Sequence, residues 1–132
     1  MRSGAAPDTL TGHSARLDAD RRPRNAGVDA TGERMILVTG SILAREDTFD
    51  DVLRSCLEHV ERSRKEPGCI SHDVHVDCQN PMRLFFFEQW ADEAALRTHF
   101  AVEGSKAFVR SLKGRIVETS GTKIYRAEAI PR

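Results

Sequence analysis

The residues best suited to chemistry lie in one short run, Phe87-Glu88-Gln89-Trp90-Ala91-Asp92-Glu93-Ala94-Ala95-Leu96-Arg97-Thr98-His99-Phe100. Glu88 and Trp90 sit two apart on an aromatic stretch with strand character, so their side chains share one face of a sheet. His99 falls on the same helical stripe as Ala95, Leu96 and Phe100, the stripe expected to cover that sheet. A carboxylate, an indole and an imidazole are thereby directed toward one helix–sheet cavity. Imidazole has the ordinary pKa nearest neutrality, which suits His99 to accept a proton. Each of the three also has a plainer use. Trp90 can anchor a core, Glu88 can pair with an arginine or backbone amides, and His99 can be an interior histidine bonded to Glu88.

The flanking pattern supplies the elements that must position these groups. Met35 to Ala44 is apolar and β-branched on both faces, as a central strand would be. Asp47 or Thr48 can cap a helix carrying Phe49, Val52, Leu53, Cys56, Leu57 and Val60 on one stripe. Its other side holds Glu58, Glu61, Arg62, Arg64 and Lys65, with Glu58–Arg62 and Glu61–Lys65 at supportive spacing. His59 is expected to be exposed near that charged side, and Pro67-Gly68 stops the helix. In the strand Cys69 to Asp77, Ile70, His72, Val74 and Val76 face one way while Ser71, Asp73, His75 and Asp77 face the other. His72 and His75 therefore cannot hold one metal ion together from that strand.

Gln79 to Met82 reads as a hairpin-like connection, and Arg83 to Trp90 as the third strand. Helix follows from Asp92 to about Lys113 with an interruption near Glu103-Gly104, its second half placing Phe108, Val109 and Leu112 on one face. Ile116 to about Ala129 reads as a final long strand with a flexible middle at Ser120-Gly121. The order β-α-β-β-α-β predicts an α+β, ferredoxin-like fold with helices on one face of an antiparallel sheet. Apolar side chains such as Leu37, Phe85 and Phe87, or their opposites, are left on the uncovered face, which predicts a homodimer joined through the sheets.

The chain has 132 residues, enough for one domain with a proper core. Twenty basic residues balance twenty acidic ones, so neither nucleic acid nor an acidic membrane surface is an expected partner. No apolar run is long enough to span a bilayer. Three cysteines (Cys56, Cys69, Cys78) without C-x-x-C spacing argue against a disulfide scaffold or a zinc site and for a cytoplasmic protein. Residues 1–33 offer Leu10, Leu17 and Val28 but little else that is apolar, and are expected to be a disordered tail ahead of a domain over 34–132. They lack the apolar centre of a secretory signal. Met35 opens the first strand directly, so translation could start there.

The run Glu66-Pro67-Gly68-Cys69-Ile70-Ser71-His72-Asp73-Val74, then Phe87-Glu88-Gln89-Trp90, His99 and Phe108, resembles the antibiotic biosynthesis monooxygenase family over roughly residues 35–130. Its nearest likeness is to the quinol monooxygenase branch. The resemblance implies a dimeric α+β barrel with a pocket between sheet and helices. It also implies oxidation of a quinol-like or other electron-rich phenolic substrate by dioxygen, with no metal or other cofactor. On that reading Trp90 would stack on the substrate ring and donate its indole N–H, and His99 would accept the phenolic proton. Glu88 would orient His99, or act as the base itself if desolvation raised its pKa. Phe86, His72, Leu96, Phe108 and Arg110 would contact the substrate.

Two departures narrow the expectation. Polyketide-tailoring members carry an asparagine where this chain has Phe86, which speaks against anthrone oxidation. Haem-degrading members need an asparagine, a tryptophan and a histidine where this chain has Gly40 or Ser41, His99 and Val109. Two other readings stay open. One is an isomerase working through an enediolate, its substrate phosphate held by Arg97, Lys106 and Arg110. The other is a non-catalytic ligand-binding dimer.

Overall fold

β1 (Arg34–Ala44) runs through the middle of a five-stranded, wholly antiparallel sheet. The structure, a computed structural model, describes residues 34–132, so the expected tail over 1–33 lies outside the described residues. Following β1 come α1 (Phe49–Ser63), β2 (Cys69–Asp77), β3 (Asn80–Trp90), α2 (Glu93–Ala101), α3 (Glu103–Ser111), β4 (Ile116–Thr119) and β5 (Lys123–Glu128). β3 lies between β2 and β1, while β4 and β5 share the other side of β1. The helices cover one face. This is the expected α+β, ferredoxin-like arrangement, with its second helix divided in two.

The division of that helix falls at Val102, one residue before the expected position, where the backbone is extended. Upstream, Asp92 caps α2 by accepting the Ala95 N–H at 2.8 Å, satisfying one of the amides that a helix start leaves without a partner. α1 ends differently from its neighbours. Gly68 takes a φ of 85°, and a Cβ built there would sit 2.4 Å from the Cβ of Ala95. Only glycine allows the connection to pass so close beneath α2. The Gly68 carbonyl accepts the Ala91 N–H at 2.8 Å, fixing the α1–β2 turn against the end of β3.

Four expectations need correction. The final strand is two strands, because the regular ladder with β1 is interrupted at Ser120–Thr122. Ser120 Oγ accepts the Ser41 N–H there at 2.8 Å, and the Ser120 N–H returns to the Ser41 carbonyl. Thr48 precedes α1 but makes no side-chain cap; its hydroxyl donates to the Arg115 carbonyl at 2.7 Å instead. The hairpin loop is only Cys78-Gln79, since β3 already begins at Asn80 opposite Asp77. Lastly, His59 is buried, whereas Leu57 is 49% exposed.

The helix-covered face holds two apolar clusters. One gathers Ile42, Ala44, Val52, Cys56, Val60, Leu84, Phe86 and Leu112. The other gathers Ile36, Val38, Cys69, Trp90 and Leu96. Along β3 the order Leu84, Phe86, Glu88, Trp90 passes from the first cluster, across a carboxylate, to the second. The opposite sheet face carries Met35, Leu37 and Phe87, half-buried, with Phe85 40% and Tyr125 51% exposed.

Candidate active site

Between the two apolar clusters lies a polar seam drawn from four elements. His72 of β2 and Val38 of β1 both lie opposite Glu88 of β3 in the sheet register. α1 adds His59 and α2 adds His99. The three imidazole centroids lie 5.1 Å (59–72), 5.3 Å (59–99) and 5.4 Å (72–99) apart. All three histidines are buried, His72 completely.

Each ring is held by a different partner. His99 Nδ1 lies 2.8 Å from Glu66 Oε1. With the carboxylate accepting, the proton sits on Nδ1 and Nε2 keeps its lone pair. Burial pushes the His99 pKa down more than the Glu66 bond raises it, so the ring is neutral at neutral pH. His72 Nε2 approaches Glu88 Oε2 at 2.9 Å, but in a poorly directed contact, and its Nδ1 has no hydrogen-bond partner. His59 Nδ1 lies 2.7 Å from Arg62 Nη2. A guanidinium only donates, so Nδ1 is the acceptor and the His59 proton sits on Nε2. Burial, helped by the neighbouring His72, His99 and Arg62, pushes the His59 pKa down to about 3.

Glu88 is 7% exposed, with Trp90 Nε1 donating to Oε1 at 3.0 Å and His72 Nε2 lying 2.9 Å from Oε2. Burial drives its carboxyl upward. The His72 contact, the Trp90 bond and the nearby His99 together outweigh burial and hold it below the usual range. Glu88 is therefore a carboxylate, not a carboxylic acid.

A cavity of about 370 Å³ opens beside the seam. His59, Glu88 and His99 line it together with Val38, Ile42, Phe86 and Phe108. The Phe108 ring stacks on His59 at 4.2 Å, nearly parallel. Glycine shapes the opposite wall, where a Cβ on Gly40 would come within 3.0 Å of the Gly121 carbonyl. Gly121, in the break between β4 and β5, thus packs directly against Gly40 of β1.

The expected site residues separate into two groups. Glu88, His99, Phe86 and Phe108 line the cavity, and His72 lies behind Glu88. Trp90 does not line it. The indole is fully buried in the second apolar cluster with its N–H already given to Glu88, so it has neither face nor donor for a substrate. Leu96 packs in that same cluster. Arg110 is exposed and paired with Glu103, so it does not reach the cavity either. Arg97 is likewise exposed and paired with Glu93, and Lys106 is exposed. The basic mouth that a phosphorylated substrate needs is not formed by these three residues.

Glu88 does not orient His99 by a hydrogen bond; Glu66 does. Sequence reasoning missed Glu66, His59 and Arg62 in these roles. A signal for His59 existed, because it falls three residues after Cys56 and seven after Val52 on the buried side of α1. Arg62 looked like a partner for Glu58 but turns inward to His59. Glu66 follows the helix and carries no periodic signal; the turn through Gly68 aims it.

The family model for antibiotic biosynthesis monooxygenase matches residues 35–111. A crystal structure of an antibiotic biosynthesis monooxygenase superposes with a TM-score of 0.64 at 30% identity, covering 74% of this chain and all of the other. Protein SO0527 of Shewanella oneidensis superposes with a TM-score of 0.69 at 20% identity, covering 74% of this chain and 95% of its own, which shows the fold alone. The Synechocystis protein sll1783 is 32% identical over 91 residues, 69% of this chain but 62% of its own length. This chain belongs to the antibiotic biosynthesis monooxygenase family.

Proposed function

We propose that the protein is a monooxygenase that oxidises a quinol-like or other electron-rich phenol with dioxygen in the cavity beside His99. The observation that carries this reading is the Glu66–His99 pair at 2.8 Å, with His99 lining a cavity whose walls also include Val38, Ile42, Phe86 and Phe108. Nε2 of His99 is the base. It takes the phenolic proton, Glu66 steadies the imidazolium that forms, and the electron-rich phenolate can then reduce dioxygen. One oxygen atom enters the ring and the other leaves as water, so a hydroquinone becomes a hydroxyquinone. His59 Nε2–H, its tautomer set by Arg62, is the donor that favours the phenolate. Phe86 and Phe108 flank the ring, and about 370 Å³ suits a small aromatic molecule. Trp90 anchors Glu88, which in turn holds His72.

A second copy of the chain completes the molecule in this proposal. Phe85, Phe87, Leu37 and Tyr125 make an outer sheet face that water covers poorly. No helix among the described residues is long and apolar enough to cross a membrane, and the sparse cysteines fit the cytoplasm. The test is oxygen uptake by purified, metal-stripped protein against a panel of hydroquinones. Substrate-dependent uptake that falls in His99→Ala is expected. Uptake no faster than the uncatalysed rate would leave a ligand-binding dimer.

A further inference from the structure

We propose that His59, His72 and His99 form a binding site for one divalent transition-metal ion of the zinc class. The three rings come from α1, β2 and α2, and one nitrogen from each lies within 4.8 Å of the others. An equilateral triangle of that edge has its centre about 2.8 Å from each corner, so shifts of about 0.7 Å reach a zinc–nitrogen bond of ~2.1 Å. Side-chain rotations of that size need no change of fold.

Three further observations point to a cation. His72 is fully buried with its Nδ1 unpartnered, an arrangement that costs stability unless something pairs with it. Two of the rings already have a carboxylate beside one nitrogen, Glu66 at 2.8 Å from His99 Nδ1 and Glu88 at 2.9 Å from His72 Nε2. Ligating histidines are habitually backed in this way, because the carboxylate fixes the ring and strengthens the ligating nitrogen. Finally, Glu66 and Glu88 bring two negative charges to the seam, against the single guanidinium of Arg62. A divalent ion would balance them. Imidazole nitrogen selects zinc, copper, nickel or iron over magnesium or calcium. The cavity side, which His59 and His99 line, provides an open fourth position, and an ion there occupies the nitrogens that the proposed reaction uses as base and donor, so metal binding and that reaction exclude one another.

Arg62 controls this site. While its Nη2 donates to His59 Nδ1, the ring proton occupies Nε2 and that nitrogen cannot ligate. Ligation through Nε2 moves the proton to Nδ1, which then repels the guanidinium. Ser105 Oγ, 3.5 Å from Arg62 Nη2, is the acceptor to which it can turn.

The test uses the full chain with His13→Ala and His75→Ala in place, so that only the three clustered histidines remain. After chelator treatment and dialysis, cobalt(II) is titrated and its visible d–d absorption followed, with zinc as competitor. One equivalent per chain is expected, with tetrahedral band intensity and no sulfur charge-transfer band. His72→Ala and His99→Ala should each abolish the band. Glu66→Gln, which leaves all three rings in place, should weaken affinity tenfold or more with an unchanged circular dichroism spectrum. Arg62→Gln should tighten binding. The proposal is overturned by the absence of stoichiometric uptake, by uptake that survives both alanine variants, or by a thiolate band. Metal uptake is read without turnover, so its failure is distinct from failure of the oxygenase reading.

Discussion

The two apolar clusters and the polar seam between them occupy the same helix-covered face yet follow opposite physical rules. Beneath α1, Val52, Cys56 and Leu84 are completely buried and no group there needs a partner other than packing. Burial pushes the Cys56 thiol up to about 12, so it behaves as a small hydrophobe. A few ångströms away, His72 is just as deeply buried but lacks a well-directed hydrogen bond. Removing apolar area from water contributes about 25 cal/mol per Å², whereas burying imidazoles and carboxylates costs stability unless every group is matched. The clusters therefore hold the fold together. The seam is carried by them, and its composition makes sense as chemistry rather than as packing.

The sharpest way to break that contrast is to exchange the damage between the two regions. His99→Ala should lower the rate of substrate-dependent oxygen uptake by ~10²–10⁴-fold, the usual contribution of a positioned base, while most of the stability remains. Leu84→Ala should do the reverse, costing ~2–5 kcal/mol in a urea melt but leaving the turnover of the folded fraction close to that of the parent. If both variants lost activity and stability in the same proportion, the division of labour would be wrong.

Within the seam itself, charge matters more than volume. His72→Phe leaves the buried Glu88 carboxylate with only the Trp90 N–H, which should cost ~1–3 kcal/mol. Adding Glu88→Gln removes the charge and keeps an oxygen for Trp90, so at least half of that loss should return. A double variant no more stable than the single one would show that Glu88 and His72 are not energetically paired.

Acid should discriminate between the regions more gently. In the unfolded chain His59 takes up a proton near pH 6.5, but in the folded protein only near 3. Its folded pKa is depressed, so its contribution is intact above 6.5 and lost as pH falls toward 3. At pH 4.5 the loss is about 3 kcal/mol, at ~1.4 kcal/mol for each pH unit. His99, also depressed, acts in the same direction, and Glu88 adds to it as pH falls through its own lowered value. Metal-free protein should therefore melt at lower temperature at pH 4.5 than at pH 7. His59→Phe should flatten that dependence, and an unchanged slope would count against the neutral, buried ring.

How much of this was legible in the sequence follows the same boundary. The strands, helices and apolar clusters announce themselves through period-two and helical patterns, because burial acts on every second or every third to fourth residue. Glu88 and His99 were legible for that reason, lying on the buried stripes of β3 and α2. Arg62 and Glu66 were not, since each has a side chain that local spacing assigns to solvent and is recruited only when α1, α2 and β2 meet. Trp90 was open to two readings, core anchor and substrate platform, for a related reason. An indole beside a carboxylate on one strand face looks like a substrate platform until α2 closes over it, and only then is its N–H seen to serve Glu88. The break between β4 and β5 was visible as Ser120-Gly121, but not its close packing on Gly40 across the sheet, where both line the cavity.

Gly40 offers the finest test of the contrast. Its added methyl would lie 3.0 Å from the Gly121 carbonyl, a contact that needs a few tenths of an ångström of relief. Gly121 sits in an exposed turn with nothing within 4 Å of its own Cβ position, so it can yield. Against this strain stands the gain from stiffening the unfolded chain, about 0.4–1 kcal/mol for glycine to alanine at a permitted conformation. The two effects nearly cancel. Gly40→Ala should therefore shift stability by less than about 1 kcal/mol, while the methyl, projecting at the cavity wall, raises KM several-fold and leaves kcat near the parent value because His99 and Glu66 are untouched. A fall in kcat with unchanged KM would instead mean that this wall positions the reacting ring rather than merely bounding the space around it.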